Sequence, residues 1–358
     1  MNTKLKKVIE SMHQKKMDCM IVLKPENIRY LTGFRPSSSS ILILKDNPIL
    51  LASKIDREYA SGSSMVNFDV YKKFDDVKKF LEAKVGIEKS MMVETYKKLS
   101  ESFEVETTDI VEISRSVKSN WEVENIKKAL QIAEKSLTEL EFSGTEVELA
   151  AKLEYNMRIN GSERASFETI MASGARTSLP HGTPTPHEIE SPVLIDWGAV
   201  YNNYSSDTTR TIIETEKQEE IFNIVLDAQK TAIKSIKPGV KSCEIDAAAR
   251  DVITEYGYGD SFIHSTGHGV GLEIHESPSL SKNDEGKLEK EMVVTVEPGI
   301  YLEGEFGVRI EDMVLIKNRA IVLNKIKTKI WFKIYFPTNF KGLSKFYSIK
   351  IIITYIWV

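Results

Sequence analysis

Two aspartates eleven residues apart, Asp196 and Asp207, frame the stretch of this sequence whose residue types could do most chemistry, VLIDWGAVYNNYSSDTTRT at 193–211. VLID is a short β-branched run ending in a carboxylate. GAVYNNYS carries the Gly, Asn and Ser that favour a reversal of direction, and SDTTRTII resumes the extended pattern. A hairpin would bring both carboxylates to the same end. There they repel strongly unless a cation sits between them or one stays protonated. Taken alone, the pair also reads as a turn residue and a strand-edge residue without chemistry, and that plainer reading stands until other groups join it.

Other groups do join it. Of six histidines, His264, His268 and His275 share one 12-residue window. His268 sits in GHGVG, where flanking glycines would let the backbone come close to whatever the imidazole binds. Glu297 ends the apolar run VVTVE and is stopped by Pro298–Gly299, and Glu311 lies in GVRIEDMV. A lone Glu in a strand is usually a solvated edge residue. Asp, Asp, His, Glu and Glu, each at the end or middle of a strand in one domain, are harder to dismiss. Four carboxylates and one imidazole make a hard, oxygen-rich donor set suited to two divalent cations, with Mn²⁺, Co²⁺ or Zn²⁺ plausible. Carboxylates bridging ions about 3.5–4 Å apart would also trap a water and lower its pKa. HEIE and HESP lack the second His of HExxH, so a zinc helix of that type is rejected. GHGVG lacks GxGxxG spacing, which removes a nucleotide loop.

The elements that must position these groups fall in two blocks. Residues 1–115 read as a small α/β domain: a helix over about 3–16, the strand CMIVL, the runs ILILK and ILLASK, and short strands such as MMVETY and VETTDI. This block concentrates no His, Cys and acids together, and Ser37–Ser40 reads as a flexible loop. A boundary is expected near 115–121, where Ser119 or Asn120 could cap a long helix whose positive end favours Glu122 and Glu124. Residues 116–324 follow as the chemical domain, with helices near 145–160, 218–236 and 243–256 and strands thereafter. Helices precede strands in each half, so the fold class is α+β with a curved antiparallel sheet. The tail, 325–358, holds seven lysines and no acid, with no persisting period. It reads as sequence beyond the natural domain end or as a basic appendage, and no function is placed on it.

Composition excludes several classes. A net charge of −4 and a pI near 6.0 give no electrostatic case for nucleic acid or an anionic membrane surface. Cys19 and Cys243 cannot form a disulfide framework, which suits a reducing compartment. The N-terminus has no long apolar h-region, and no run approaches the roughly 18–20 apolar residues that span a bilayer. A cytoplasmic location is the expectation.

The ordered set Asp196, Asp207, His268, Glu297 and Glu311, in the contexts IDWGAVYNNYSSDTTRT, HSTGHGVGLEIHE, TVEPGIY and GVRIED, resembles the pita-bread metallopeptidases. The likeness is strongest to their proline-specific branch, the Xaa-Pro dipeptidases (prolidases) and Xaa-Pro aminopeptidases. It implies a C-terminal pita-bread catalytic domain behind a smaller creatinase-type N-terminal α/β domain. It further implies two divalent metal ions per subunit, manganese or cobalt or else zinc, held by those five residues. A hydroxide bridging the ions would attack the carbonyl before proline, with Glu297 as proton shuttle. His275 would hydrogen-bond the scissile carbonyl, and His181, in SGARTSLPHG, would help position substrate. His264 would face the proline side, and Tyr301 and Arg309 match positions that orient the acids. His13 and His187 are expected at the surface. A methionine aminopeptidase would not normally carry such a front domain, a creatinase-like enzyme lacks the metal ligands, and a non-catalytic relative typically loses ligands. Where similar prolidases can carry an Arg four residues after the site His, this chain has Ser279, so His264 or Arg309 would have to receive the proline carboxylate. The dipeptidase reading is preferred over the aminopeptidase. A homodimer and an N-terminal domain that limits substrate length are implied with it.

Overall fold

The structure, a computed structural model, describes residues 3–329 and divides into a first unit ending at Ser116 and a second beginning at Val117. In the first unit six strands form one mixed sheet, in the order Asn67–Val70, Ile49–Ala52, Ser40–Leu44, Cys19–Val22, Lys84–Glu88, Glu104–Thr108. Its apolar runs become buried strands: Cys19, Ile21, Ile41, Ile43, Leu51, Val85 and Ile87 share one core with Leu99. MMVETY is no strand. From Val93 it begins the helix Val93–Ser100, in which Leu99 alone is buried. Glu94 in the first turn, Lys97 and Lys98 in the last, and the Glu94–Lys98 pair at 2.7 Å suit a helix whose macrodipole they complement. Nor is Ser37–Ser40 free. The buried Asp56 carboxylate accepts hydrogen bonds from the backbone and hydroxyl of both Ser37 and Ser38, and Ser40 opens a strand.

The second unit is two helix pairs, each laid on an antiparallel sheet. Asn120–Thr138 starts at Ser119, whose hydroxyl and Glu122 cap each other's backbone, and Glu146–Ile159 starts the same way at Thr145 with Glu148. Their buried faces (Ile132, Leu137, Leu149, Leu153) pack with Met171, Ile195 and Trp197 of the three-stranded sheet Thr208–Ile212, Val193–Trp197, Ile170–Ser173. Glu216–Ser235 and Ser242–Glu255 form the second pair. Phe222, Val225, Ala228, Ile245 and Ala249 pack on Val294, Val296 and Val314 of a five-stranded sheet. That sheet runs Glu276–Leu280, Gly267–Gly269, Val293–Val296, Asp312–Ile316, Ala320–Val322. Strands Gly299–Leu302 and Phe306–Arg309 form a separate hairpin. Among the described residues no helix is long and apolar enough to cross a membrane.

The boundary expected after Asn324 falls inside a bonded stretch. Glu134 accepts the amides of Lys325 and Ile326, and Arg210 donates to the carbonyls of Ile326 and Lys327. The unit holds these residues by their backbone, and Lys329 adds an ion pair with Glu219. The remainder of the tail, from 330 on, lies outside the described residues.

Candidate metal centre

Strand register places the first two acids. Val193–Trp197 pairs antiparallel with Thr208–Ile212, Asp196 opposite Thr209. Asp207, two residues before Thr209, is therefore the diagonal neighbour of Asp196 on the same face. Between them the chain makes a small inner hairpin, Val200–Tyr201 with Tyr204–Ser205, turning at Asn202 and Asn203 with φ of 48° and 68°. The two glutamates come from the other sheet. Val296 pairs with Asp312, so Glu297 and Glu311 are the next residues out on adjacent antiparallel strands. Gly267–Gly269 runs beside Val293–Val296 and carries His268. The sheets meet at this point: the Glu311 amide donates to Thr209 O at 3.1 Å.

The side chains converge. Asp207, His268 and Glu311 each present one ligating atom, all within 4.8 Å of one another. His268 Nε2 lies 3.5 Å from Asp207 Oδ2 and 3.1 Å from Glu297 Oε1. Its Nδ1 faces the Gly269 carbonyl at 3.1 Å, so Nδ1 donates there and Nε2 is the nitrogen turned toward the acids. Asp196 places Oδ2 against Arg309 at 2.7 Å, while Asp196 Oδ1 and Glu311 Oε1 are buried without a hydrogen-bond partner. Buried, unpartnered carboxylate oxygens aimed into a cluster of acids are costly unless a cation satisfies them. The donor set fits hard divalent ions on that ground.

The electrostatics agree. Burial, then the charges of Glu311, Asp196 and Glu297, push the Asp207 carboxyl well above the usual range. Burial, then Glu297 and Asp196, does the same to Glu311. Burial also raises Asp196, against the opposing pull of Arg309. For Glu297, burial pushes upward but the hydrogen bond and charge of His268 outweigh it and hold the carboxyl at about 2. These are acids crowded together with too little positive charge nearby, a deficit that metal ions would fill.

The supporting groups already carry partners within the unit. Arg309, read as a candidate to receive a substrate carboxylate, is buried with its guanidinium committed to Asp196, Thr209 Oγ1, the Tyr301 hydroxyl and Pro180 O. His264, read as facing the proline, also has both ring nitrogens engaged, Nδ1 at 2.8 Å from Ser265 O and Nε2 at 2.9 Å from the Tyr301 hydroxyl. The glycines around His268 serve the sheet and not the ligand. A Cβ on Gly267 would stand 2.1 Å from Thr295 O, and one on Gly269 2.3 Å from Ser277 O.

His275 is exposed and makes no hydrogen bond among the described residues, its ring edge-on to His268 at 4.3 Å between centroids. His181 is likewise exposed, immediately after Pro180, whose carbonyl Arg309 binds. His13 and His187 lie exposed against Asp46 and Glu190. Thr209 and Thr295 escaped the sequence reading. Their hydroxyls donate to Glu311 and Glu297, and each stands two residues along the chain from a candidate ligand, Asp207 or Glu297, which was the available signal.

Comparison with known proteins follows this geometry. The Metallopeptidase family M24 matches residues 124–318 and the Creatinase/Prolidase N-terminal domain matches residues 4–118. An Xaa-Pro dipeptidase of Pyrococcus horikoshii is 42% identical over 92% of this chain and 99% of its own length. The solved prolidase from Pyrococcus horikoshii matches with a TM-score of 0.87 at 41% identity, covering 91% of this chain and 99% of that one. The X-Pro aminopeptidase from Thermotoga maritima matches with a TM-score of 0.84 at 33% identity, covering 91% and 99%.

Proposed function

This chain belongs to metallopeptidase family M24, with a creatinase/prolidase N-terminal domain in front, and from that premise we propose that it hydrolyses the peptide bond preceding proline in Xaa-Pro dipeptides. The observation that carries the reading is the convergence of Asp207, His268 and Glu311, with orphaned carboxylate oxygens on Asp196 and Glu311. The 42% identical relative, itself an Xaa-Pro dipeptidase, supports the substrate class.

Asp196, Asp207, His268, Glu297 and Glu311 would hold two divalent ions, manganese or cobalt. Bound there, such ions polarise a carbonyl and lower the pKa of water. The rest of the chemistry falls to this chain's side chains. Glu297 takes the proton released by the attacking water at a carboxylate oxygen and returns it to the leaving nitrogen. His275, with an uncommitted ring, donates to the scissile carbonyl oxygen as negative charge develops on it. His181 positions the substrate from its exposed loop. Arg309 and Tyr301 act on Asp196 and on the ring of His264 rather than on substrate, since Arg309 is buried and bonded to Asp196 and the Tyr301 hydroxyl meets His264. A homodimer in the cytoplasm, with the first unit limiting peptide length, completes the proposal.

A second reading, Xaa-Pro aminopeptidase, is favoured by one observation. Ser279 is an exposed neutral residue where a cation could have met a free proline carboxylate. The test is hydrolysis of Met-Pro against a longer Xaa-Pro-Xaa peptide, in metal-free protein and after adding Mn²⁺ or Co²⁺. Metal-dependent cleavage of the dipeptide alone is the expected result. Preferential cleavage of the longer peptide would transfer the chain to the aminopeptidase reading, and no cleavage by metal-loaded protein would end both.

A further inference from the structure

The helix Ser242–Glu255 carries two groups that neither the ligand set nor the reaction uses. Arg250 and Asp246, one turn apart, form a two-pronged pair with both contacts at 2.9 Å, Asp246 almost wholly buried and Arg250 with 14% of its side chain exposed. An i,i+4 pair of this kind is ordinarily worth a few tenths of a kcal/mol on a helix surface. Here both partners are turned inward onto a neighbouring segment, and both have further bonds. Arg250 Nη1 donates to Phe262 O at 2.7 Å and Nη2 to His264 O at 2.8 Å, and the guanidinium carbon stands 4.1 Å from the centre of the Phe262 ring. Asp246 Oδ1 accepts from the amide and hydroxyl of Thr266 at 3.1 and 3.0 Å.

Residues 262–266 are thus held at three points from one helix, and His264 lies at the centre. Its ring is set edge-on against Phe262, with centroids 5.2 Å apart, and its Nε2 reaches the Tyr301 hydroxyl. Ile263, between two clamped residues, is 64% exposed. The segment otherwise has little regular strand bonding to define it. Thr266 O also accepts the Glu297 amide at 2.8 Å, so the clamp ends where a ligand strand ends.

We propose that the Asp246–Arg250 pair is a positioning device for the segment 262–266, fixing the His264 ring and the exposed Ile263 as one wall against which substrate binds. This rests on the peptidase reading above. Arg250 binds the carbonyls of Phe262 and His264 and none of the candidate metal ligands, so its loss should alter how substrate is held and leave the metal site intact. The experiment compares Arg250→Met and Arg250→Lys with the unaltered, metal-loaded protein. Steady-state hydrolysis of Met-Pro is measured together with Mn²⁺ affinity by calorimetry. The ¹⁵N resonances of the His264 ring are recorded in protein loaded with diamagnetic zinc.

For Arg250→Met we expect KM to rise about tenfold or more, kcat to stay within about threefold, and Mn²⁺ affinity to be unchanged. The His264 ring should move from a single Nδ1-protonated form to a mixture. Arg250→Lys, which keeps the charge but not the fork, should show the same pattern more weakly. Unchanged kinetics, a fall in kcat at constant KM, or a parallel loss of Mn²⁺ affinity would each overturn the proposal. Misfolding of both variants would also overturn it, by making the pair a folding element only. Absence of Met-Pro hydrolysis in the unaltered protein would be a failure of the peptidase reading. The clamp would then be judged on the His264 resonances, which require no turnover.

Discussion

Replacing Asp207 by Asn should stabilise this protein without metal and abolish its stabilisation by metal. In the structure Asp207, His268 and Glu311 bring ligating atoms within 4.8 Å. Two full negative charges at that separation repel by about 3.5 kcal/mol at an effective dielectric of about 20. The repulsion is not fully expressed, because burial and neighbouring acids raise both carboxyls well above the usual range, which favours their protonated forms. A relief of about 1–2 kcal/mol is the reasonable remainder. For a unit of this size that corresponds to a melting temperature higher by about 2–8 °C.

The pH dependence has a definite sign. A carboxyl raised in the folded state contributes stability in full below its unfolded value of 3.8, and that contribution is lost as pH rises through the elevated folded value. Asn does not titrate, so its advantage should vanish in acid and be largest near neutrality and above. Scanning calorimetry of chelator-treated proteins at acid and neutral pH reads both effects. Saturating Mn²⁺ should then reverse the order. Ligand at about 100 times its dissociation constant adds about 2.7 kcal/mol to the unaltered protein, and the variant should gain little. A metal-free variant less stable than the parent at neutral pH, or one gaining as much from Mn²⁺, would refute the argument that these acids are held against their own repulsion.

Two further outcomes follow from individual residues. His275→Ala should lower kcat for Met-Pro by about 10²–10³-fold with metal stoichiometry intact, since the ring touches no ligand by hydrogen bond; turnover and metal analysis on the same sample decide it. Asp56→Ala should destabilise the first unit by about 2–4 kcal/mol, because the amides and hydroxyls of Ser37 and Ser38 lose their acceptor. Faster hydrogen exchange across Ser40–Leu44, with Mn²⁺ affinity of the second unit unchanged, is the measurement.

The candidate acids Asp196, Glu297 and Glu311 were legible because each lies in or beside a short strand rich in apolar residues, where a charged residue has no packing reason to be. The inference from Asp196 and Asp207 to a shared strand end needed only the period of two and the turn residues between them. What could not be read was how many partners each supporting group already had. Arg309 looks available in GVRIED, yet four internal acceptors surround it. His264 looks like its neighbour His268, but Tyr301, thirty-seven residues on, takes its second nitrogen. MMVETY fails for a different reason. Its β-branched and aromatic residues suit a strand, but Val93 and Tyr96 are exposed, and the position that reaches the core is Leu99, at helical spacing.

These partnerships explain how a site made of mutually repelling acids can exist at all. Asp196 and Asp207 belong to the sheet side of Thr208–Ile212, whereas Glu297 and Glu311 belong to the strands Val293–Val296 and Asp312–Ile316. Crowding acids from two sheets would push those sheets apart. The chain answers with one arginine from each side reaching an aspartate of the other. Arg309, two residues before Glu311, crosses to Asp196 at 2.7 Å. Arg210, three residues after Asp207, crosses to Asp312 at 2.7 Å and donates also to Glu311 O. Arg309 pairs with the buried Asp196 and so offsets part of the negative charge of the cluster. Arg210 binds Asp312 and the backbone carbonyl of Glu311, so it fixes position without taking a carboxylate oxygen of Glu311. It is also the group that holds the carbonyls of Ile326 and Lys327. The two arginines thus tie the two sheets together at the point where their acids crowd.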